Sequence, residues 1–293
     1  MSTADQSFAV SPEEHRVRLL AGISVNERRV DAAGIPTAVL EGGDGPPVVL
    51  LHGPGESAVN WRWTIPELVT THRVVAPDLP AHGSSGSGAA PLDADRAGAW
   101  LRALIERTCP EPPAVVGHVL GGAVAARFAA QHGDRLRRLV LVDSLGLARF
   151  RPSVRFALRF LAFTSRPSEH TFERFMHQCA FDLDQLREEM DEEWTSFVAY
   201  NLALTRSDGG RDAARLFRRV GLPRIPSREL AAIRVPTTLI WGRHDRALRL
   251  GIAQKASDRY GWPLCVIDGA ADDPARDQPE VFLRNLRGAL SGE

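Results

Sequence analysis

Lysine and cysteine are scarce in this chain of 293 residues. Of its 36 basic residues, 35 are arginine and only Lys255 is lysine, which indicates the coding bias of a GC-rich, bacterial genome. The three cysteines, Cys109, Cys179 and Cys265, are far apart and odd in number. Such cysteines predict neither a disulfide framework nor a zinc site, so we expect a reducing, cytoplasmic location.

The chain also lacks net charge and long apolar runs. Its 36 acidic residues balance its 36 basic ones, so nothing indicates a nucleic-acid partner. No apolar stretch approaches the ~20 residues of a membrane span, and Asp5, Glu13 and Glu14 are unlike a signal peptide. The glycine-rich stretch 83–88 has no phosphate-loop lysine, so we expect no cofactor.

Short apolar runs alternate with segments of helix-forming residues. The run Pro47–Leu51 is continuously apolar, as expected of a strand buried on both faces. Helices are predicted over Trp61–Val69 and over Asp93–Thr108, where Asp93 is a plausible cap. Strands that alternate with helices predict an α/β fold with a mostly parallel sheet of about eight strands.

Strand signals disappear in the middle of the chain, where arginine, phenylalanine, leucine and glutamate recur at helical spacing. This pattern predicts a helical cap over 145–232, inserted into a core formed by 26–144 and 233–293. The polar residues before the core, 1–25, are interpreted as an N-terminal extension.

Five short motifs follow predicted strands in a fixed order. They are HGPGES at 52–57, DLPAHGSS at 78–85, GHVLGG at 117–122, WGRHD at 241–245 and DGAADDP at 268–274. With these motifs the chain resembles α/β-hydrolase-fold proteins over about residues 25–290. The resemblance implies the α/β-hydrolase fold, with a site at the carboxyl ends of the strands.

The catalytic triad of such proteins is incomplete here. Their G-x-S-x-G turn corresponds to Gly117–Gly121, with Val119 in place of the serine nucleophile. The resemblance places the triad acid at Asp245 and the triad histidine at Asp272. Because the last histidine of the chain is His244, no later histidine can replace it. The chain therefore lacks the residues for ordinary acyl-serine chemistry.

The oxyanion hole implied by the resemblance is altered as well. One donor in such proteins is the backbone N–H of the residue after His-Gly, here after Gly53. That residue is Pro54, which has no N–H. The amide of Leu120 remains, and removing one donor costs a serine hydrolase roughly 3–4 kcal/mol of transition-state stabilisation.

Val119 has three open interpretations. An elbow residue normally has φ above zero, which strains a β-branched side chain by about 1–3 kcal/mol. Three interpretations follow: the turn has relaxed, the apolar side chain is required to line a pocket, or valine arose by neutral drift after loss of function.

The two candidate catalytic carboxylates, Asp245 and Asp272, are expected to face each other. Like charges at close range favour a shared proton and a raised pKa, so one carboxyl can act as general acid or base. Alternatively, Asp272 faces solvent, caps a turn or pairs with an arginine, and Asp273 and Arg276 are near enough in sequence to compete.

Further residues are expected to line the site. We interpret His118, beside the elbow, as a buried, hydrogen-bonded ring. The aromatic residues of the cap predict an apolar roof for an aromatic or apolar small molecule. The candidate lining residues are Trp61, Asp143, Ser144, Phe163 and Phe175.

Three functional hypotheses remain open. The first is an enzyme of this fold with non-hydrolytic chemistry, such as isomerisation, cyclisation, carbon–carbon bond formation or a lyase reaction, on a carbonyl-bearing small molecule of secondary metabolism. The second is a non-catalytic small-molecule-binding protein. The third is a hydrolase in which a carboxylate activates water.

Overall fold

An eight-stranded sheet organises the chain, and the computed structural model describes residues 11–207 and 209–292. Its strands lie in the order β1-β2-β4-β3-β5-β6-β7-β8. Only the β1–β2 and β2–β4 pairs are antiparallel, which confirms the mostly parallel α/β-hydrolase sheet. The strands are β1 (Asn26–Ala32), β2 (Ile35–Gly42), β3 (Pro47–Leu51), β4 (Arg73–Pro77), β5 (Ala114–His118), β6 (Arg138–Val142), β7 (Thr237–Gly242) and β8 (Leu264–Ile267).

The register brings the ends of five strands to one edge. Gly117 pairs with Leu51, and His118 pairs with Val142 on the other side. At the far side, Gly242 of β7 pairs with Ile267 of β8. The loops that follow β3, β5, β6, β7 and β8 therefore emerge at the same edge, where parallel α/β sheets form their ligand sites.

Helices cover both faces of the sheet. All five residues of β3 are buried, and they alternate between the two hydrophobic clusters: Val49 and Leu51 belong to one, Val48 and Leu50 to the other. Asp93 caps α3, because its side chain accepts a hydrogen bond from the N–H of Arg96. The flanking helices are α3 (Ala94–Thr108), α4 (Leu120–His132), α11 (Gly251–Tyr260), α12 (Pro274–Asp277) and α13 (Pro279–Ser291).

The segment between β6 and β7 consists, in its described part, of helices joined by loops, without a strand. Its helices α5, α6 and α8 share an aromatic cluster, in which the rings of Phe163 and Phe172 lie 5.5 Å apart and those of Phe172 and Phe197 lie 5.9 Å apart. The helices are α5 (Val154–Ser165), α6 (Glu169–Cys179), α7 (Leu183–Met190), α8 (Glu193–Arg206), α9 (Gly210–Leu216), the π-helix Phe217–Gly221 and α10 (Ser227–Leu230).

A helix precedes the sheet and is anchored by a buried arginine. In α1 (Pro12–Leu19), Arg16 is 1% exposed and donates to Glu27 and to the hydroxyl of Tyr200 in α8. Arg16 also lies 3.3 Å from Asp78, and Tyr200 donates to Ser57. This network joins α1 to the helical segment and to the loops after β3 and β4. Residues 1–10 of the predicted extension lie outside the described residues.

The helix predicted over Trp61–Val69 is wrong in type and bounds. The structure has a 3₁₀-helix, Ala58–Trp63, followed by the short α2, Ile65–Leu68. Pro66 accounts for the break, because proline has no N–H and its ring clashes with the carbonyl four residues earlier in a continuous helix. None of the helices in the described ranges is long and apolar enough to cross a membrane.

Candidate active site

The turn between β5 and α4 keeps the geometry of a nucleophile elbow. Val119 has φ 44° and ψ −98°, so the turn has not relaxed around its β-branched side chain. The Val119 N–H donates to Val142 at 3.0 Å. A Cβ on Gly117 would lie 2.6 Å from Gly121, and one on Gly121 would lie 2.3 Å from the carbonyl oxygen of Leu51. The small residues are therefore required by close backbone packing, and the strained valine costs about 1–3 kcal/mol.

The first residue of α4 retains one potential oxyanion donor. Leu120 begins the helix directly after Val119, and the first N–H groups of a helix have no acceptor within it. The Leu120 side chain is buried, so the residue contributes its amide and not its side chain to the candidate site. The Gly121 N–H is occupied, because it donates to the carbonyl of His52 at 3.1 Å.

Gly53 and Pro54, at the start of the loop after β3, offer no free second donor. Gly53 donates its N–H to Oε2 of Glu56 at 2.7 Å. Pro54, the next residue, is half-buried and has no N–H. Of the two donor positions that the resemblance implies, an oxygen that gains negative charge at the elbow would therefore find only the amide of Leu120.

His52 fixes this loop as a neutral ring. Its Nε2 accepts the N–H of Leu79 at 2.9 Å, so the proton is on Nδ1, which donates to the carbonyl of Gly53 at 2.8 Å. Burial lowers the pKa of His52 to about 3. The ring therefore stays neutral near neutral pH and holds the loops after β3 and β4 together through its two hydrogen bonds.

His118 forms a buried ion pair with Glu56, a residue that the sequence did not single out. Its Nδ1 lies 3.5 Å from Oε2 of Glu56, and its Nε2–H donates to the backbone carbonyl of Asp272 at 2.7 Å. Burial alone would lower the pKa of His118, but the Glu56 carboxylate outweighs it and raises the pKa to about 10. His118 is thus an imidazolium with both nitrogens occupied, which links the loops after β3, β5 and β8.

Replacing Glu56 with Gln is expected to lower the pKa of His118 well below 10, because the Glu56 carboxylate is the strongest of the influences that raise it and burial would then be opposed only by the charge of Asp273 and the carbonyl of Asp272. The measurement is an NMR titration of the imidazole between pH 5 and pH 11. The matched control is Glu67→Gln, which removes the carboxylate from the surface pair with Arg287. A His118 pKa that stays near 10 in Glu56→Gln would contradict the assignment.

Asp143 and Asp245 form a buried carboxyl pair. Asp143, at the end of β6, accepts the N–H of Gly242 at 3.2 Å, and Oδ1 of Asp245 accepts the N–H groups of Ala247 and Leu248 at 2.6 and 2.7 Å. Burial, and then the charge of Asp245, raises the pKa of Asp143 well above its usual range. Asp143 and Asp245 are hydrogen-bonding neighbours when Asp143 is protonated, and Oδ2 of Asp245 is a buried oxygen that no N–H group of the described residues reaches.

Asp272 lies beside this pair, in the loop after β8. Burial raises its pKa to about 8; Arg276 opposes this effect and the charge of Asp245 adds to it. Oδ1 of Asp272 lies 3.5 Å from Arg276, and the buried thiol of Cys179 is also a hydrogen-bonding neighbour. Arg276 is shared with Asp273, at 3.6 Å. The pKa of Asp272 therefore depends both on the charge of Asp245 and on the ion pair with Arg276. With a pKa of about 8, the carboxyl is mostly protonated at neutral pH.

Ser144 packs against α4, the helix that follows the elbow. It is fully buried, and its hydroxyl donates to the carbonyl of Leu145 at 2.9 Å. A Cβ on Gly122 would lie 2.3 Å from the Ser144 oxygen, so the side chain is packed directly against α4. The structure assigns this serine a packing role.

The aromatic candidates pack against other rings. Trp61 is 3% exposed, belongs to a core cluster and contacts His118 edge-on, with ring centroids 6.3 Å apart. Phe163 and Phe175 stack on each other at 5.6 Å in the aromatic cluster of α5 and α6. The structure therefore places Trp61 beside His118, and the two phenylalanines in the aromatic cluster of the helical segment.

A cavity of about 990 Å³ lies between α5, α6 and the loop after β7, and Asp245 forms part of its lining. We call it the arginine cavity, because half of its twelve lining residues are arginines. This lining is charged where the sequence predicted an apolar roof. The arginines are Arg155, Arg159, Arg174, Arg243, Arg246 and Arg249. Within residues 11–207 and 209–292, no cluster of His, Cys, Asp and Glu is arranged to hold a metal ion.

The chain is similar to known α/β-hydrolase-fold proteins. A family model described as alpha/beta hydrolase fold matches residues 46–271. The chain is 30% identical over 235 residues to 2-hydroxy-6-oxo-2,4-heptadienoate hydrolase of Pseudomonas putida, covering 76% of this chain and 80% of that enzyme. It is 37% identical over 128 residues to 2-hydroxymuconate semialdehyde hydrolase of Pseudomonas sp. strain CF600, covering 41% of this chain but only 44% of that enzyme.

A solved structure shares the fold over almost the whole length. Carboxylesterase CesB of Bacillus subtilis superposes with a TM-score of 0.81 and covers 99% of both chains, at 19% identity. Identity at this level supports the architecture and says nothing about substrate.

Proposed function

This chain belongs to the α/β-hydrolase fold family, and we propose that it is an enzyme that transfers a proton on a carbonyl-bearing small molecule without forming an acyl-serine. The observation that carries the proposal is Asp272. Its carboxyl occupies the loop after β8, where the resemblance places the triad histidine, and its pKa is raised to about 8 by burial. A group with a pKa near the working pH is suited to general acid–base catalysis.

The surroundings of Val119 support a departure from hydrolysis through serine. Val119 has the backbone conformation of a nucleophile and a side chain without a nucleophilic atom. His118, the nearest histidine, is held as an imidazolium by Glu56 and has no lone pair available to accept a proton. Neither attack nor base catalysis of the serine type is therefore available at the elbow.

The proposed roles follow from these positions. Asp272 donates a proton to the substrate, and the Leu120 N–H stabilises the carbonyl oxygen as it gains charge. Asp245, held by two backbone N–H groups and by Asp143, fixes a negative charge close to Asp272 and helps keep its proton in place. The reaction class that fits is isomerisation, cyclisation, carbon–carbon bond formation or elimination.

The pH dependence of turnover tests the role of Asp272. The carboxyl is protonated below its pKa of about 8 and loses its proton above it, so an acid catalyst becomes inactive as the pH rises through 8. We expect the rate to be level from pH 6 to 7 and to fall about tenfold per pH unit above 8. The substrate is the compound that the purified protein converts in a metabolite extract from a strain lacking the gene. A rate that rises between pH 7 and pH 9 would contradict the proposed role.

A hydrolase that activates water through a carboxylate is the second candidate, because the two curated relatives compared above are themselves named hydrolases. In that case the product contains the elements of water, and ester turnover depends on Asp272.

A third candidate, a binding protein, is favoured by the apolar Val119. It predicts saturable binding of a compound that is recovered unchanged.

A further inference from the structure

The arginine cavity concentrates positive charge in a chain whose net charge is zero. Its six guanidinium groups come from three separate elements: Arg155 and Arg159 from α5, Arg174 from α6, and the others from the loop after β7. Asp245 is the one carboxylate in the lining, and its Oδ1 is already engaged by two backbone amides. The cavity therefore carries a large excess of uncompensated positive charge.

Most of these arginines have no carboxylate partner. Within the described residues, no carboxylate lies within 4.0 Å of Arg155, Arg159, Arg174 or Arg249. Arg246, by contrast, donates to two backbone carbonyls of α6 and the residues after it, and Arg243 pairs with Asp268. Arg174 donates to Nε2 of His170 at 3.4 Å, which leaves its positive charge without a compensating carboxylate. Four guanidinium groups around one cavity therefore have no carboxylate partner and can bind an anion.

A second cavity continues the positive lining. It has a volume of about 470 Å³ and shares Arg249 and Gly251 with the arginine cavity. It adds Arg149, Arg224, Arg259 and Lys255, the only lysine of the chain. Five of its eleven lining residues are therefore cationic, and none is acidic. Two adjoining cavities of one sign provide binding positions for several anionic groups of one molecule.

We propose that the arginine cavity and its neighbour form a binding site for a small molecule that carries two or more phosphate groups. Guanidinium groups match phosphate oxygens in pairs of parallel hydrogen bonds, and several arginines around a concave site suit a chain of phosphates. The main cavity has the volume of a ligand or cofactor site, and its position between helices favours a small molecule over a flat macromolecular surface. This binding does not rest on the proposed reaction.

The test is calorimetric titration of the full chain with inorganic tripolyphosphate, alongside orthophosphate, citrate and polyglutamate. We expect saturable binding of tripolyphosphate, weaker binding of orthophosphate, and an affinity that falls as salt is raised. Arg159→Gln/Arg249→Gln is expected to weaken tripolyphosphate binding by roughly 10- to 100-fold, because two charge-assisted contacts are lost. Neither side chain has a hydrogen bond or ion pair in the described structure, so the variant should fold normally.

The matched control is Arg102→Gln/Arg107→Gln on α3, which removes the same charge from exposed positions outside both cavities. We expect its affinity to stay within about twofold of the wild type. Equal weakening by both double variants, or no saturable binding at all, would overturn the proposal. Tighter binding of citrate would overturn its phosphate chemistry, and tighter binding of polyglutamate would replace the small molecule by an acidic macromolecule.

Discussion

The double variant Val119→Ser/Asp272→His is expected to gain esterase activity on an activated ester such as p-nitrophenyl acetate, where the wild type gives only background hydrolysis. The elbow already holds residue 119 at φ 44°, so a serine there needs no backbone change. Histidine at 272 would stand beside Asp245, the retained acid. Because Pro54 supplies no N–H, we expect a rate roughly 10²–10³-fold below that of a complete site.

Two further variants separate the contribution of the base at position 272 from that of the backbone N–H at position 54. Val119→Ser alone is expected to remain at background, because it has no base to accept the proton of the hydroxyl. Adding Pro54→Ala to the double variant returns a backbone N–H and is expected to raise the rate. The measurement is the initial rate of ester hydrolysis by each folded variant. Equal rates for the single and the double variant would contradict the inference that a histidine at 272 acts as the base for a serine at 119.

Asp272→Asn is expected to reduce conversion of the natural compound by about 10²–10⁴-fold, the contribution typical of a general acid or base. Asparagine keeps the size and polarity of the neutral carboxyl but has no proton to donate at neutral pH. Since the wild-type carboxyl is itself mostly protonated in the folded chain, the melting temperature should change little. The measurement is the initial rate of product formation by mass spectrometry.

Asp268→Asn is the matched control for this variant. Asp268 is exposed in the same loop and pairs with Arg243 at the surface, so we expect its replacement to leave the rate within about twofold. An Asp272→Asn protein that folds and converts the compound at the wild-type rate would remove Asp272 from the mechanism.

Much of the fold was predictable because its signals are local. The run Pro47–Leu51 is apolar at every position and became a strand buried on both faces. The helix with Asp93 at its N-terminus was predicted to within one residue, since a cap followed by an amphipathic pattern fixes a helix start. The break at Pro66 was missed, although a proline within a predicted helix was a local warning.

The site was less predictable because it depends on tertiary contacts. The sequence identified Val119 and Asp272 as substitutions, but it could not show that the elbow kept its strained conformation. Asp143 was predicted only to line the site, yet it forms a buried carboxyl pair with Asp245. Glu56 passed unnoticed because its partner His118 lies 62 positions later in the chain, where no sequence periodicity relates the two.

The charged cavity was hidden for a similar reason. The 35 arginines were attributed to coding bias, which describes their number but not their distribution. Helices α5 and α6 and the loop after β7 each contribute arginines that become neighbours only in the folded chain. The phenylalanines predicted to face a ligand pack against each other within the helical segment.

Mass balance of the natural reaction tests the central claim most directly. A metabolite extract from a strain lacking the gene is incubated with the purified protein. The exact mass of every compound that appears or disappears is then measured by high-resolution mass spectrometry. We predict that the atoms of the products equal those of the substrate, with no water gained, and that Asp272→Asn leaves the substrate unconverted. A product that contains the elements of water, or a compound that co-purifies with the protein unchanged, would contradict it.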